Sequence, residues 1–161
     1  MKRVLVTDEE IKELFKFAEK DIRFGVSLKG ALSQIRHKLY LESLGYSVET
    51  TQSDNRGLPD FIVEGVTMEH KRARKQCYAD GTYKVEIQKS RGERKTRLYD
   101  IDFSNVVSAD ISEHTGKKND YRYAFTSNLE VDKNLKSKIK SLQRIDENWT
   151  SSFKSLLENK K

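Results

Sequence analysis

The stretch GLPDFIVEGVTMEHKRARK, Gly57 to Lys75, constrains the fold more tightly than any other part of the chain. Phe61-Ile62-Val63 is an apolar run that closes at Glu64-Gly65, and Val66 and Met68 then alternate with Thr67, Glu69 and Lys71. Period-two alternation marks a half-buried strand, and a glycine between two such runs marks a tight hairpin turn. Pro59, the only proline in 161 residues, stands directly before Asp60. It fixes its own φ and restricts Leu58 to extended geometry, so the loop enters the first strand in a set direction.

Helices precede this hairpin. Thr7-Asp8-Glu9-Glu10 has the spacing of a capping box, after which Ile11, Leu14, Phe15, Ala18 and Ile22 share one helical face. Gly25 to Ser27 reads as a break, followed by a helix over about 28–44 with Leu32, Ile35 and Leu39 on one side and Gly45 closing it. Tyr46 and Val48 begin a short strand, and TQSDNRGLPD is a turn-rich loop. Beyond the hairpin, YKVEIQKS, NVVSADI and YRYAFT read as further strands, while KNLKSKIKSLQRI and NWTSSFKSLLEN read as helices. In the last of these, Trp149, Phe153, Leu156 and Leu157 form one stripe. The order implies a single α/β domain spanning 1–161, with a central mixed sheet flanked by helices and a core over about 28–127.

Cys77 is the only cysteine, which excludes an intramolecular disulfide and a Cys-based zinc cluster. No apolar run approaches bilayer length and the first twenty residues carry acids throughout, which argues against a membrane anchor and a signal peptide. The expectation is a soluble cytoplasmic domain, or a viral protein acting in the host cytoplasm. The net charge is +6, with basic residues gathered at Lys71–Lys75, Arg91–Arg97, Lys117-Lys118 and Lys136–Lys140. Such clusters suit a polyanion, and equally a solvated basic face. No phosphate-binding Walker loop is present, so no nucleotide cofactor is expected.

Sharper chemistry comes from the hairpin. Residues two apart on a strand share a face, so Glu69 and Lys71 project together, and hairpin pairing brings Asp60 toward Glu69. Two carboxylates converging beside a lysine repel one another unless a cation sits between them, and oxygen ligands suit Mg²⁺ or Mn²⁺. The backbone carbonyl of His70 offers another oxygen. Phosphodiester hydrolysis follows from that set, with Lys71 orienting water or neutralising developing charge. Gln88 is expected on the same side as Glu69, within reach of a phosphate. Arg72, Arg74, Lys75, Lys89, Arg91, Arg94, Lys95 and Arg97 read as contacts to the phosphates of DNA rather than to its bases. His37 and His114 read as surface or packing residues, and Tyr99, Tyr121 and Tyr123 as core or sheet-surface aromatics.

With Pro59-Asp60 and Glu69-His70-Lys71 in place, the segment 28–74 resembles the PD-(D/E)XK nuclease superfamily, which includes restriction endonucleases, Holliday-junction resolvases and some homing endonucleases. Lys29-Gly30 and Gly45-Tyr46 resemble the resolvase-like branch, while the later strands are more similar to restriction-type members. The resemblance implies that Asp60 and Glu69 are metal ligands and Lys71 the catalytic lysine. It also implies a Mg²⁺-dependent DNA endonuclease, cutting both strands as a homodimer or homotetramer at a specific site. A structure-specific resolvase acting on branched DNA and an inactive DNA-binding module are the alternatives. One position departs from the pattern. Gln34 stands four residues after Gly30, where the resolvase-like branch usually carries a glutamate. Gln34 is therefore read either as an uncharged site residue or as a polar residue on the helix surface.

Overall fold

A computed structural model describes residues 7–51, 58–89 and 92–159. Helix α1 (Asp8–Lys20) starts at the capping box: the Glu10 N–H donates to the Thr7 hydroxyl at 3.2 Å and the Thr7 N–H donates to the Glu10 carboxylate at 2.8 Å. The break expected at Gly25–Ser27 lies earlier, because Asp21 caps the next helix by accepting from the Phe24 N–H at 2.8 Å. Helix α2 (Ile22–Ser43) then runs without interruption, and Gly45, at φ +90°, ends it where expected.

Gly25 lies inside α2 for a packing reason. A Cβ there would sit 2.6 Å from the Ala18 carbonyl oxygen, so the missing side chain lets α1 fold back closely onto α2. Helix α1 buries none of its residues and otherwise meets α2 through partly exposed contacts such as the edge-on Phe17–Phe24 pair, 5.4 Å between centroids. Gly25→Ala is therefore expected to speed amide hydrogen exchange throughout α1 while leaving that of the central sheet unchanged.

Five strands form the central sheet in the order β1 (Val48–Thr50), β2 (Phe61–Val63), β3 (Val66–Arg72), β5 (Val106–Asp110) and β6 (Tyr121–Phe125). β3 and β5 are parallel and every other neighbour is antiparallel. The β2–β3 turn is the expected one: Glu64 and Gly65 both take positive φ, 49° and 78°, the requirement of a two-residue hairpin loop matched to strand twist. Apolar residues cover both faces. Leu41, Phe61, Val63, Met68, Val106, Tyr123, Phe153 and Leu156 pack on the α2 face, and Val85, Ile87, Tyr99, Val107, Ala109, Ile139 and Trp149 on the other.

Three expectations are corrected. The strand from YKVEIQKS, β4 (Lys84–Glu86), does not join the central sheet but pairs antiparallel with β7 (Leu142–Arg144), meeting the chain just after β3 through the isolated Ala73–Val85 bridge and the Arg74–Glu86 pair. KNLKSKIKSLQRI is therefore not a helix. Its apolar residues at helical spacing also fit an extended chain that buries Ile139, Gln143 and Ile145, and Gln143 settles the choice. Its side-chain amide serves the Glu130 N–H, the Glu130 carbonyl and the Lys140 carbonyl at 2.9, 2.9 and 2.7 Å, replacing bonds a helix would have made. The last helix, α5, is shorter than expected (Phe153–Glu158), and Trp149 packs on the opposite face of the sheet from Phe153. The short helices α3 (Arg94–Arg97) and α4 (Ser112–Thr115) lie between these elements.

Candidate active site

Pairing of β2 with β3 ends at Phe61–Met68, one residue before the acid that precedes β2 and one before Glu69. Asp60 occupies the edge of β3 beyond that point. Its Oδ2 accepts from the His70 backbone N–H at 2.8 Å, and its Oδ1 accepts from the Gln34 amide at 2.6 Å. Pro59 is buried behind it, with its carbonyl accepting from the Thr51 hydroxyl. A strand residue directs its N–H and C=O to the same edge. The His70 carbonyl therefore faces the Asp60 side.

Glu69 lies on the far face of β3 from Met68 and is only 2% exposed. Its Oε1 accepts from the Tyr99 hydroxyl at 2.9 Å and from the Lys71 ammonium at 2.6 Å. Its Oε2 is buried and has no hydrogen-bond partner. Lys71 keeps 25% of its side chain exposed and lies 5.7 Å from the Tyr99 ring centroid, with Lys89 at 5.9 Å from the same ring. Tyr99 itself stacks on Phe103, with centroids 3.9 Å apart. Burial and the adjacent Glu69 carboxylate push the Tyr99 phenol up, so it stays protonated and donates at any working pH.

The same pair of acids shapes Asp60. Burial, and then repulsion from Glu69, push its carboxyl up from 3.8 to about 7, against the His70 N–H bond and the Lys71 charge that favour ionisation. Between about pH 4 and about pH 7 the unfolded chain has released this proton and the folded protein retains it. Stability of the metal-free protein is thus expected to fall as pH rises through that window and to level off above it. Denaturant unfolding across pH, compared with Asp60→Asn, isolates the effect: the variant should lack this part of the decline.

Among the described residues no three carboxylate, imidazole or thiol groups converge, so a metal here would rest on two carboxylates and a carbonyl. Lys71 is the one cation paired with these two acids, Glu69 Oε2 is buried without a partner, and all-oxygen donors of this kind fit Mg²⁺ or Mn²⁺.

Gln88, expected beside Glu69, follows β4 outside the central sheet and donates to Glu86 at 2.7 Å. Arg72 and Arg74 are paired with Glu113 and Glu86 at 2.6 and 2.7 Å, and the Arg97 guanidinium donates to the Lys89 carbonyl at 3.0 Å. Lys75 is exposed. Arg91 lies outside the described residues, as do the side chains of Arg94 and Lys95. Within the Lys136–Lys140 cluster, Lys138 pairs with Asp100 at 2.7 Å and Lys140 with Glu130. His114 bonds the Arg74 carbonyl at 2.8 Å, and His37 is fully buried. The site residue that sequence reasoning missed is Tyr99, an aromatic thirty positions from Glu69 with no local spacing to mark it.

The solved structure of a bacterial homing endonuclease, I-Ssp6803I, is similar to this chain, with a TM-score of 0.52 over 75% of this chain and 78% of that one. The fold is like that of a homing endonuclease. At 18% identity the likeness to I-Ssp6803I is one of backbone architecture, a mixed sheet flanked by helices within a single domain. No family model and no curated protein matches the chain. Among the described residues no helix is long and apolar enough to cross a membrane.

Proposed function

We propose that this protein is a metal-dependent DNA endonuclease of the PD-(D/E)XK type that cuts both strands at specific duplex sites, in the manner of restriction or homing enzymes. The observation that carries the reading is the meeting of Asp60, Glu69 and Lys71 at the free edge of β3, with Glu69 Oε2 buried and unpartnered. The likeness in fold to a homing endonuclease supports it. Asp60, Glu69 and the His70 carbonyl would hold one Mg²⁺ or Mn²⁺. A divalent ion bound there supplies polarisation of the scissile phosphate and a water of lowered pKa.

The chain's own groups do the remainder. Lys71 presents its ammonium from the Glu69–Tyr99 pair toward solvent, where it orients the attacking water and offsets charge developing on the phosphate. Tyr99 holds Glu69 in place. Gln34 fixes Asp60 through a neutral amide, which leaves the pocket with the acids for a single ion. Lys75 and Lys89 offer cations to the DNA backbone, and two copies of the chain would bring one site to each strand.

The test incubates supercoiled plasmid and a synthetic four-way junction with the protein, with and without Mg²⁺ or Mn²⁺. Discrete metal-dependent plasmid fragments are expected. Cutting confined to the junction would make the protein a resolvase, and binding of both substrates without cleavage under either metal would make it a binding module.

A further inference from the structure

Behind the site, on the α2 face of the sheet, lies a row of polar side chains, Tyr123, His37, Ser108, His70 and Ser33, all buried, ending at the half-buried Asp110. The contacts are Tyr123 Oη to His37 Nε2 at 3.0 Å, His37 Nδ1 to Ser108 Oγ at 3.4 Å and Ser108 Oγ to His70 Nδ1 at 2.8 Å. From there His70 Nε2 meets Ser33 Oγ at 2.8 Å, and Ser33 Oγ meets Asp110 Oδ2 at 2.6 Å. The two imidazoles are buried, His37 at 0% and His70 at 3% exposure, and stack with centroids 4.5 Å apart, an arrangement without water that accommodates neutral rings and not two adjacent cations.

Neutrality fixes the direction of every bond. The Asp110 carboxylate only accepts, so Ser33 spends its proton there and must accept from His70 Nε2–H. His70 Nδ1 then carries no proton and accepts from Ser108. Having given its proton, Ser108 accepts from His37 Nδ1–H, and His37 Nε2 accepts from the Tyr123 hydroxyl. All five bonds point from Tyr123 to Asp110; Ser108 Oγ also lies 3.4 Å from the Glu69 carbonyl, a longer contact than its 2.8 Å bond to His70.

His70 is the residue between Glu69 and Lys71, and its backbone N–H is the one that holds Asp60. Ser33 neighbours Gln34, the other residue that holds Asp60. We propose that Ser33 and Ser108 are positioning residues: by gripping the His70 imidazole through both nitrogens they set the plane of the His70 peptide, and with it the Asp60 carboxylate and the carbonyl offered to the metal. Consecutive residues of α2 thereby control both ligands, Gln34 directly and Ser33 through β3. The inference rests on reading Asp60, Glu69 and the His70 carbonyl as the metal site.

Two readouts test it without cleavage. In protein carrying ¹⁵N-histidine and no metal, NMR should show His70 protonated at Nε2 and His37 at Nδ1; the opposite tautomer at His70 would overturn the proposal. Ser33→Ala and Ser108→Ala should shift the His70 amide resonance and weaken Mn²⁺ binding, measured by calorimetry without DNA, by about ten- to a hundredfold, the usual loss for a group that orients a ligand. Ser33→Thr, which keeps the hydroxyl, should restore most of the affinity. Leu156→Ala, a cavity on the same face with no polar role, controls for lost stability and should keep it. Alanine variants that match Leu156→Ala in Mn²⁺ affinity would overturn the proposal. If the unaltered protein binds no Mn²⁺, the metal-site reading falls by itself. The His70 amide then decides the positioning role, an unshifted resonance in Ser33→Ala overturning it.

Discussion

If the protein is the proposed nuclease, Lys71→Ala is expected to lower the rate of metal-dependent cleavage by about a hundred- to a thousandfold, the cost of deleting one group aimed at developing charge, while DNA still binds. The expectation follows from where the ammonium sits. It is anchored 2.6 Å from Glu69 Oε1, a quarter exposed, and lies beside the Tyr99 ring, so it faces the solvent side where water and phosphate must arrive. Lys71→Arg should not rescue the rate, since a planar fork that pairs with two oxygens at once cannot take the place of a compact point charge. Single-turnover cleavage with bound DNA held constant separates chemistry from affinity. A Lys71→Ala protein cutting at the original rate would remove Lys71 from the mechanism.

Glu69→Gln should weaken Mn²⁺ binding by about a hundredfold or more, because a cation site tuned by carboxylate count loses one of its two charges. The same change should move Asp60 in the opposite sense to a simple loss. Repulsion from Glu69 is the second cause, after burial, of the raised Asp60 carboxyl, so the variant's Asp60 should titrate below about 7, nearer its ordinary 3.8. Carboxyl-detected NMR across pH reads this directly. Folding should weaken to some degree: the amide can still accept from Tyr99, but Lys71 loses its anionic partner and the amide N–H groups enter the place where Oε2 had none. An unchanged Asp60 titration would show that the two acids do not sense one another.

The hairpin carrying this chemistry was legible in the sequence because local rules govern it. Glu64-Gly65 takes the left-handed conformations its turn demands, and Met68 and Glu69 point to opposite faces as read, although β3 is buried on both faces rather than half-buried. Position 25 misled because glycine there answers to a neighbouring helix rather than to its own backbone. Ile139 and Ile145 misled because their spacing fits both a helix and an extended strand, and only the partners of Gln143 distinguish the two. Within the site, Asp60, Glu69 and Lys71 lie close enough in sequence to be read as a group. Tyr99 was not, and neither was the row from Tyr123 to Asp110. Their partners come from α2, β3, β5 and β6, and no spacing along the chain encodes a hydrogen bond across four elements. The basic runs overstated the free charge, since Arg72, Arg74, Lys138 and Lys140 all spend theirs on nearby acids.

On the proposed reading, the neutral amide of Gln34 would set an order of assembly. Above about pH 7, where Asp60 is ionised, the two acids carry two negative charges against the one ammonium paired with them, a local balance that disfavours a phosphodiester beside them. A single divalent cation inverts that sign, whereas a glutamate at position 34 would have left the pocket neutral and called for a second ion. DNA held by other lysines would therefore settle its scissile phosphate into the pocket only after the ion, which would make the metal a gate on docking as well as a participant in the cut.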